Sequence, residues 1–192
     1  MKKIAIFASG SGSNAHRILQ HFEHHPAIQV VCLLSNKPQA GALAIARQFG
    51  IPTLVFDKYS LYESRVVVEK LQLLCVDLVV LAGFLWLVPE SLISAFPKQI
   101  VNIHPALLPK FGGKGMYGMH VHRAVVAAGE QQSGLTIHYA NAQYDEGDII
   151  FQAACAIAPS DTPEIVQQKV LQLEHQHYPA VIEKLLIPTQ KA

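Results

Sequence analysis

Two polar side chains one residue apart, Asn102 and His104, close the short apolar run Ile100-Val101-Asn102-Ile103-His104. In an extended strand a spacing of two puts both on one face, so an amide and an imidazole look at the same point. That pair suits a reaction that builds negative charge on a carbonyl oxygen. The amide would hold the oxyanion, and the imidazole would stabilise it or hand a proton to the leaving group. Asp145, inside Gln143-Tyr144-Asp145-Glu146-Gly147-Asp148, lies on a loop able to return to that point. A carboxylate beside His104 favours the imidazolium and predicts a pKa raised above the usual ~6.5. Taken singly, each residue also has a plainer reading: a satisfied histidine at a strand end, and an acidic surface turn.

A second candidate is the loop Gly10-Ser11-Gly12-Ser13-Asn14 between an apolar run and a helical pattern. Its glycines permit a tight turn and close approach to an anion, and the following helix offers free N–H groups and a positive dipole end. One phosphate fits such a loop. A plain turn with Ser13 or Asn14 capping the helix explains it equally well. A dinucleotide fits poorly, because Ala15 replaces the third glycine and Leu33-Leu34-Ser35-Asn36 offers no carboxylate for a ribose. His120-x-His122 and His175-x-His177 have no metal-ligand spacing, and residues two apart on the expected final helix face apart, so no metal is expected. No Gly-x-Ser-x-Gly nucleophile elbow is present.

These residues need a scaffold. Ile4–Ala8, Ile28–Leu34, Thr53–Phe56, Leu78–Ala82 and Ile100–His104 read as buried strands. Between them Ala15–His25, Ala42–Phe49, Leu61–Leu74 and Glu90–Phe96 read as helices. Alternation at this spacing predicts βαβ units and a mostly parallel sheet covered on both faces. In the order 3-2-1-4-5, ligands bind beyond the carboxyl ends of the strands near the reversal point. That brings the Ser9–Asn14 loop, Gly83-Phe84 and Asn102–His104 into one crevice. The second half holds a glycine-rich loop from Pro105 to Met119 and a helix near Val121–Ala128. Strands at Gly134–Tyr139 and Ile149–Ile157 form an antiparallel extension, and a long helix follows with Thr162 as its cap and Pro163 in its first turn.

A net charge of +1, with basic residues scattered, gives no electrostatic case for nucleic acid or an anionic membrane. No apolar stretch nears the ~20 residues that span a bilayer. The run after Met1-Lys2-Lys3 is too short for a signal peptide, so a cytoplasmic location is expected. Cys32, Cys75 and Cys155 sit among apolar residues at no metal-binding spacing and are expected to be buried, reduced thiols.

Together these pieces resemble the glycinamide ribonucleotide formyltransferase family. The resemblance rests on Ser9-Gly10-Ser11-Gly12-Ser13-Asn14, Val79-Val80-Leu81-Ala82-Gly83-Phe84, Asn102-Ile103-His104-Pro105-Ala106-Leu107-Leu108-Pro109, His120-Val121-His122-Arg123, Thr136-Ile137-His138 and Glu174-His175-x-x-Tyr178-Pro179. It implies a Rossmann-like α/β formyltransferase fold in one domain over 1–192. Residues 1–100 would form the nucleotide-phosphate-binding half and 101–192 the catalytic and folate-binding half. Implied is transfer of a formyl group from 10-formyltetrahydrofolate, as co-substrate and without metal, to the amine of the ribonucleotide during purine biosynthesis. Asn102, His104 and Asp145 match the catalytic residues, with His138 in support. Gly12, Ser13, Asn14 and Glu174 match the nucleotide contacts. Leu85, Trp86, Leu87, Val88, Asn102, Ala140 and Asp145 match the folate contacts, and Leu108-Pro109 matches a cis peptide. The resemblance implies small-molecule partners and a monomer or homodimer.

This chain departs from the pattern at Trp86, where many members carry Arg, and in a longer, glycine-richer loop before His120. A formyltetrahydrofolate hydrolase, or a formyltransferase for another amine, would use the same catalytic residues. Those relatives carry further domains that this sequence lacks room for. A nucleotide-binding sensor on the same fold would bind phosphate ligands without consuming formyl-folate.

Overall fold

Apolar runs of four to eight residues separated by helical patterns produce thirteen regular elements. In chain order they are β1 (Lys2–Phe7), α1 (Ser13–Phe22), β2 (Ile28–Ser35), α2 (Gly41–Gln48), β3 (Thr53–Val55), α3 (Val66–Leu73), β4 (Leu78–Leu81), α4 (Glu90–Ala95), β5 (Ile100–His104), α5 (Met119–Ala127), β6 (Gln132–Tyr139), β7 (Ile149–Ala156) and α6 (Pro163–Leu186). The structure, a computed structural model, describes residues 1–187. Its sheet has the order β3-β2-β1-β4-β5-β6-β7. The first five strands pair in parallel, as the βαβ pattern requires, and β6 runs antiparallel to both β5 and β7.

Alternating side chains feed two cores. Ile4, Ile6 and Ala8 of the β1 segment pack with Leu78 and Val80 against α1, α2 and α6. Ala5, Phe7, Val79 and Leu81 face the other way, against α3 and α4. On β2 the alternation changes phase: Ile28 and Val30 share the first core with Leu33, whereas Cys32 and Leu34 join the second. A register shift opposite Ile4 and Ala5 accounts for it, since one extra residue in a strand swaps every later side chain to the opposite face.

Three expectations need correction. The helix read over Leu61–Leu74 is broken into a π-helical turn at Tyr59–Glu63 and α3. Ser64 sits extended between them, and its hydroxyl donates to the Ser60 carbonyl, a local alternative to continuing the helix. Helix α1 ends at Phe22, before the expected His25, whose Nδ1 instead accepts the Ala27 and Ile28 amides at 3.2 and 3.0 Å and turns the chain into β2. Of the cysteines only Cys32 is buried, its thiol pushed up to about 12 by that burial. Cys75 is exposed in a turn with φ 55°, and Cys155 is half-buried on the edge strand β7.

Helix α6 carries the site's far wall. Thr162 Oγ1 accepts the Ile165 amide at its start, with Pro163 first in the helix. Further along, the fully buried Tyr178 hydroxyl donates to the Leu81 carbonyl at 3.0 Å, with the Val101 carbonyl 3.2 Å away. This pins α6 beneath the ends of β4 and β5. Glu174, four residues earlier and so on the same helical face, is thereby aimed at the crevice.

Candidate active site

Beyond the carboxyl ends of β4 and β5 lies a cavity of about 470 Å³. It is walled by Gly83–Val88, by Asn102–Pro105, by the loop Gly113–Gly118, by residues of the 140–145 segment and by Gln167, Leu171 and Glu174 of α6. Asn14, Leu81, His122 and His138 complete its lining.

Strand pairing assembles the polar centre. Antiparallel pairing of β5 with β6 sets His138 directly opposite Asn102 and Thr136 opposite His104. His138 Nδ1 lies 3.0 Å from the Tyr139 carbonyl. A carbonyl only accepts, so the proton is assigned to Nδ1, and Nε2 accepts from Asn102 Nδ2 at 3.1 Å. This fixes the Asn102 amide with its NH2 inward. The second hydrogen of that group is held loosely, with Asp145 Oδ1 3.5 Å away, and is the one free to turn toward an oxyanion. Asp145 Oδ2 accepts the Gly113 amide at 2.9 Å and stands 3.4 Å from His104 Nδ1, while Oδ1 is 3.6 Å from His138 Nε2. The other nitrogen of His104 donates to the Phe111 carbonyl at 2.8 Å.

The loop that delivers Asp145 depends on two unusual backbone positions. Asp145 adopts φ 59°, a left-handed conformation that Asp and Asn tolerate better than most residues. Gly147 packs its backbone onto the Tyr139 carbonyl so closely that any Cβ would collide with it.

Burial sets the charges. Asp145 would be raised by its burial, but the contact with His138, the nearby His104 and the Gly113 amide together hold it below the ordinary carboxylate range. His104, only 3 % exposed, is lowered by burial; Asp145 and the Phe111 carbonyl pull the other way without prevailing. The expected elevation of His104 is thus reversed, because its desolvation outweighs its partner. A lowered pKa makes the imidazolium a stronger acid, while fewer molecules carry it at neutral pH. His122 is likewise lowered by burial, and its Nδ1 is buried without a hydrogen-bond partner among the described residues.

At the nucleotide end the outcome is mixed. Asn14 and Glu174 line the cavity; Gly12 and Ser13 do not. Gly12, at φ 88°, precedes α1, and a Cβ there would come within 2.6 Å of the Ala42 backbone, so packing against α2 already demands glycine. No side chain caps α1. Asn14 spends its NH2 on Glu174 Oε2 at 2.6 Å, and its Oδ1 is buried and unpartnered among the described residues. Burial raises Glu174, with the Asn14 bond opposing. The Asn14–Glu174 pair thus forms the polar corner of the cavity.

At the opposite end, Leu85, Trp86, Leu87, Val88 and Ala140 all line the cavity. Trp86 is held in an aromatic cluster with Phe56, Phe84 and Tyr62, ring centroids 6.1 to 6.4 Å apart. Ser9 fixes this segment. Its buried hydroxyl accepts the Leu85 amide at 3.1 Å and donates to Asn36 Oδ1 at 2.7 Å, joining the ends of β1, β2 and β4. An apolar slot edged by backbone groups suits a flat heteroaromatic ring. The sequence reading had assigned no role to Ser9, to the Phe111 carbonyl, to the Gly113 amide or to Gln167 and Leu171. Only Ser9 carried a signal, as a polar residue ending a buried strand. Among the described residues no three His, Cys, Asp or Glu side chains stand together as a metal site.

A model of the formyl transferase family matches residues 2–182. The chloroplastic phosphoribosylglycinamide formyltransferase of Arabidopsis thaliana is 46% identical over 187 residues, 94% of this chain and 64% of that protein. The chain thus spans slightly less than two thirds of that relative's length. The phosphoribosylglycinamide formyltransferase of Bacillus subtilis is 38% identical, with 97% of this chain and 95% of the relative covered. The crystal structure of glycinamide ribonucleotide transformylase 1 from Symbiobacterium toebii superposes with a TM-score of 0.87 at 36% identity, covering 96% of this chain and 87% of that one. The chain belongs to the formyl transferase family, in the branch made up of phosphoribosylglycinamide formyltransferases.

Proposed function

We propose that the protein transfers the formyl group of 10-formyltetrahydrofolate to the primary amine of 5-phosphoribosylglycinamide, in purine biosynthesis. The observation that carries this reading is the convergence of Asn102, His104 and Asp145 on one point of a cavity that is apolar and aromatic at one end and polar at the other. The apolar end, at Leu85–Val88 and Ala140, takes the pterin. Asn14 and Glu174 take donors of the nucleotide.

The neutral amine attacks the formyl carbon, and the carbonyl electrons move to oxygen. Asn102 Nδ2–H and the His104 imidazolium hold that oxyanion. The attacking nitrogen then loses a proton, N10 of the folate gains one, and the carbon–N10 bond breaks. His104, made more acidic by burial, supplies its Nδ1 proton to N10 and regains one from the proton that the attacking nitrogen sheds; in the resting charged ring that Nδ1–H faces Asp145. Much of the acceleration comes from holding amine and formyl carbon together, up to roughly 7–11 kcal/mol in favourable cases. His138 Nε2 keeps Asn102 oriented. The protein's partners in this reading are small molecules, and its setting is the cytoplasm.

The test supplies 10-formyltetrahydrofolate with the ribonucleotide, with another amine, or with water alone, and follows release of tetrahydrofolate. Turnover that requires the ribonucleotide is expected. Equal turnover with water would make the protein a hydrolase. His104→Ala should lower kcat by about 10²–10⁴, and near-normal turnover in that variant removes His104 from the mechanism.

A further inference from the structure

Behind His104 stands a second polar group, made of side chains that do not line the cavity. Thr136 is fully buried on β6 and paired opposite His104 on β5. Its hydroxyl donates to the Ala106 carbonyl at 2.7 Å. It accepts the Leu108 amide at 3.0 Å and a hydrogen of Gln152 Nε2 at 2.8 Å. A hydroxyl has one hydrogen and two lone pairs, so its whole capacity is used. Gln152, on the neighbouring strand β7, gives its other amide hydrogen to the Leu108 carbonyl at 3.0 Å. A carbonyl only accepts, which assigns the Gln152 NH2 to the side facing the chain at Leu108. Two side chains thus hold three backbone groups of the segment that follows His104.

That segment carries two contacts of the catalytic residues. From Leu108 the chain runs to Phe111, whose carbonyl accepts from His104 Nε2 at 2.8 Å. Phe111 holds a φ of 57°, a left-handed conformation that such a residue keeps only where its surroundings impose it. The Leu108 side chain also lies against Gly112, where a Cβ would come within 2.6 Å of Leu108 Cδ2 and 3.2 Å of Asp145 Cβ. The next residue, Gly113, donates its amide to Asp145 Oδ2 at 2.9 Å. Fixing Leu108 therefore bears on both His104 and Asp145. The contact at Phe111 decides the chemistry of the ring. With Nε2 committed to a carbonyl, the neutral ring carries its proton there, and Nδ1 is the nitrogen left to exchange protons. A ring without that contact is free to take either tautomer.

We infer that Thr136 and Gln152 are positioning residues for His104: their brace on Leu108 seats the Phe111 carbonyl that fixes the tautomer of the ring. The effect on turnover rests on the proposed reaction, so the test also reads the ring directly in the ligand-free protein. Nitrogen-15 NMR at about pH 8, above the ordinary histidine range, reports which nitrogen of His104 is protonated. The His104 signals are identified by their loss in His104→Ala. Wild type should show one tautomer, protonated on Nε2, and so should Thr136→Ser, which keeps the hydroxyl. Thr136→Val keeps the shape but leaves the Leu108 amide and Ala106 carbonyl unpaired; Gln152→Met keeps the length without a donor. Both should show a mixture of tautomers. In steady-state rates kcat should fall about 10²-fold in Thr136→Val and about tenfold in Gln152→Met. KM for either substrate should change less than about threefold, and Thr136→Ser should recover most of kcat. Gln152 lies exposed on the edge strand, so Gln152→Met should fold and decides the matter alone should Thr136→Val not fold. Wild-type kcat in Gln152→Met would overturn the inference. So would a fall in kcat with His104 still in one tautomer, the mark of a purely structural part. Normal turnover by His104→Ala would refute the proposed reaction, while the tautomer populations would still decide the brace.

Discussion

Asp145→Asn isolates the carboxylate charge with little change of shape. Asn tolerates the left-handed backbone at this position at least as well as Asp, so the loop should keep its path. The native carboxylate makes two contacts that its charge strengthens: the Gly113 amide at 2.9 Å and the charged form of His104, whose Nδ1 is 3.4 Å away. At about 1.5–3 kcal/mol for each hydrogen bond to a charged group, their joint weakening amounts to roughly 3–6 kcal/mol. That corresponds to a loss of about 10²–10⁴ in kcat/KM, falling mainly on kcat. The direction with pH also follows. Burial already lowers His104, and Asp145 is the largest influence opposing it, so the Asn variant lowers it further. If the imidazolium is the acid, its population then disappears at lower pH, and the deficit of the variant grows as pH rises. Initial rates of tetrahydrofolate release across a pH series test this, with imidazole titrations by NMR on both ligand-free proteins. A loss below about tenfold, or one equal at every pH, would refute the role given to the Asp145 charge.

Glu174→Gln should weaken ribonucleotide binding by about tenfold or more through the lost charged acceptor. Burial raises Glu174, so its contribution to stability is fully present below the unfolded carboxyl pKa and is lost as pH rises through the folded one. The Gln variant should therefore melt no lower than wild type at pH 7–8, and its relative advantage should vanish in acid; a lower melting temperature at neutral pH would contradict the assigned direction. Gly147→Ala should cost about 1–3 kcal/mol from overpacking against the Tyr139 carbonyl. It should also lower kcat by moving Asp145, so a variant with wild-type melting and turnover would show the loop placed by other contacts.

The parallel half of the fold was legible because buried strands and amphipathic helices are written locally, in runs and periods. Strand order and the crevice at the ends of β1, β4 and β5 followed from connection rules. What escaped depended on distance. The phase change along β2 arises from pairing with β1, and nothing in Val30-Val31-Cys32 signals it. Asn102 and His104 could be read as neighbours since they share one strand, whereas Asp145 could be placed only on a loop able to return to them, its match to the catalytic residues coming from family resemblance. The Asp145 loop is positioned by backbone contacts, of Gly113 with the carboxylate and of Gly147 with the Tyr139 carbonyl, that local sequence pattern does not reveal. The charge of His104 was misjudged for a related reason. Its carboxylate partner could be guessed from the sequence, but the desolvation that outweighs it comes from the walls of the whole site.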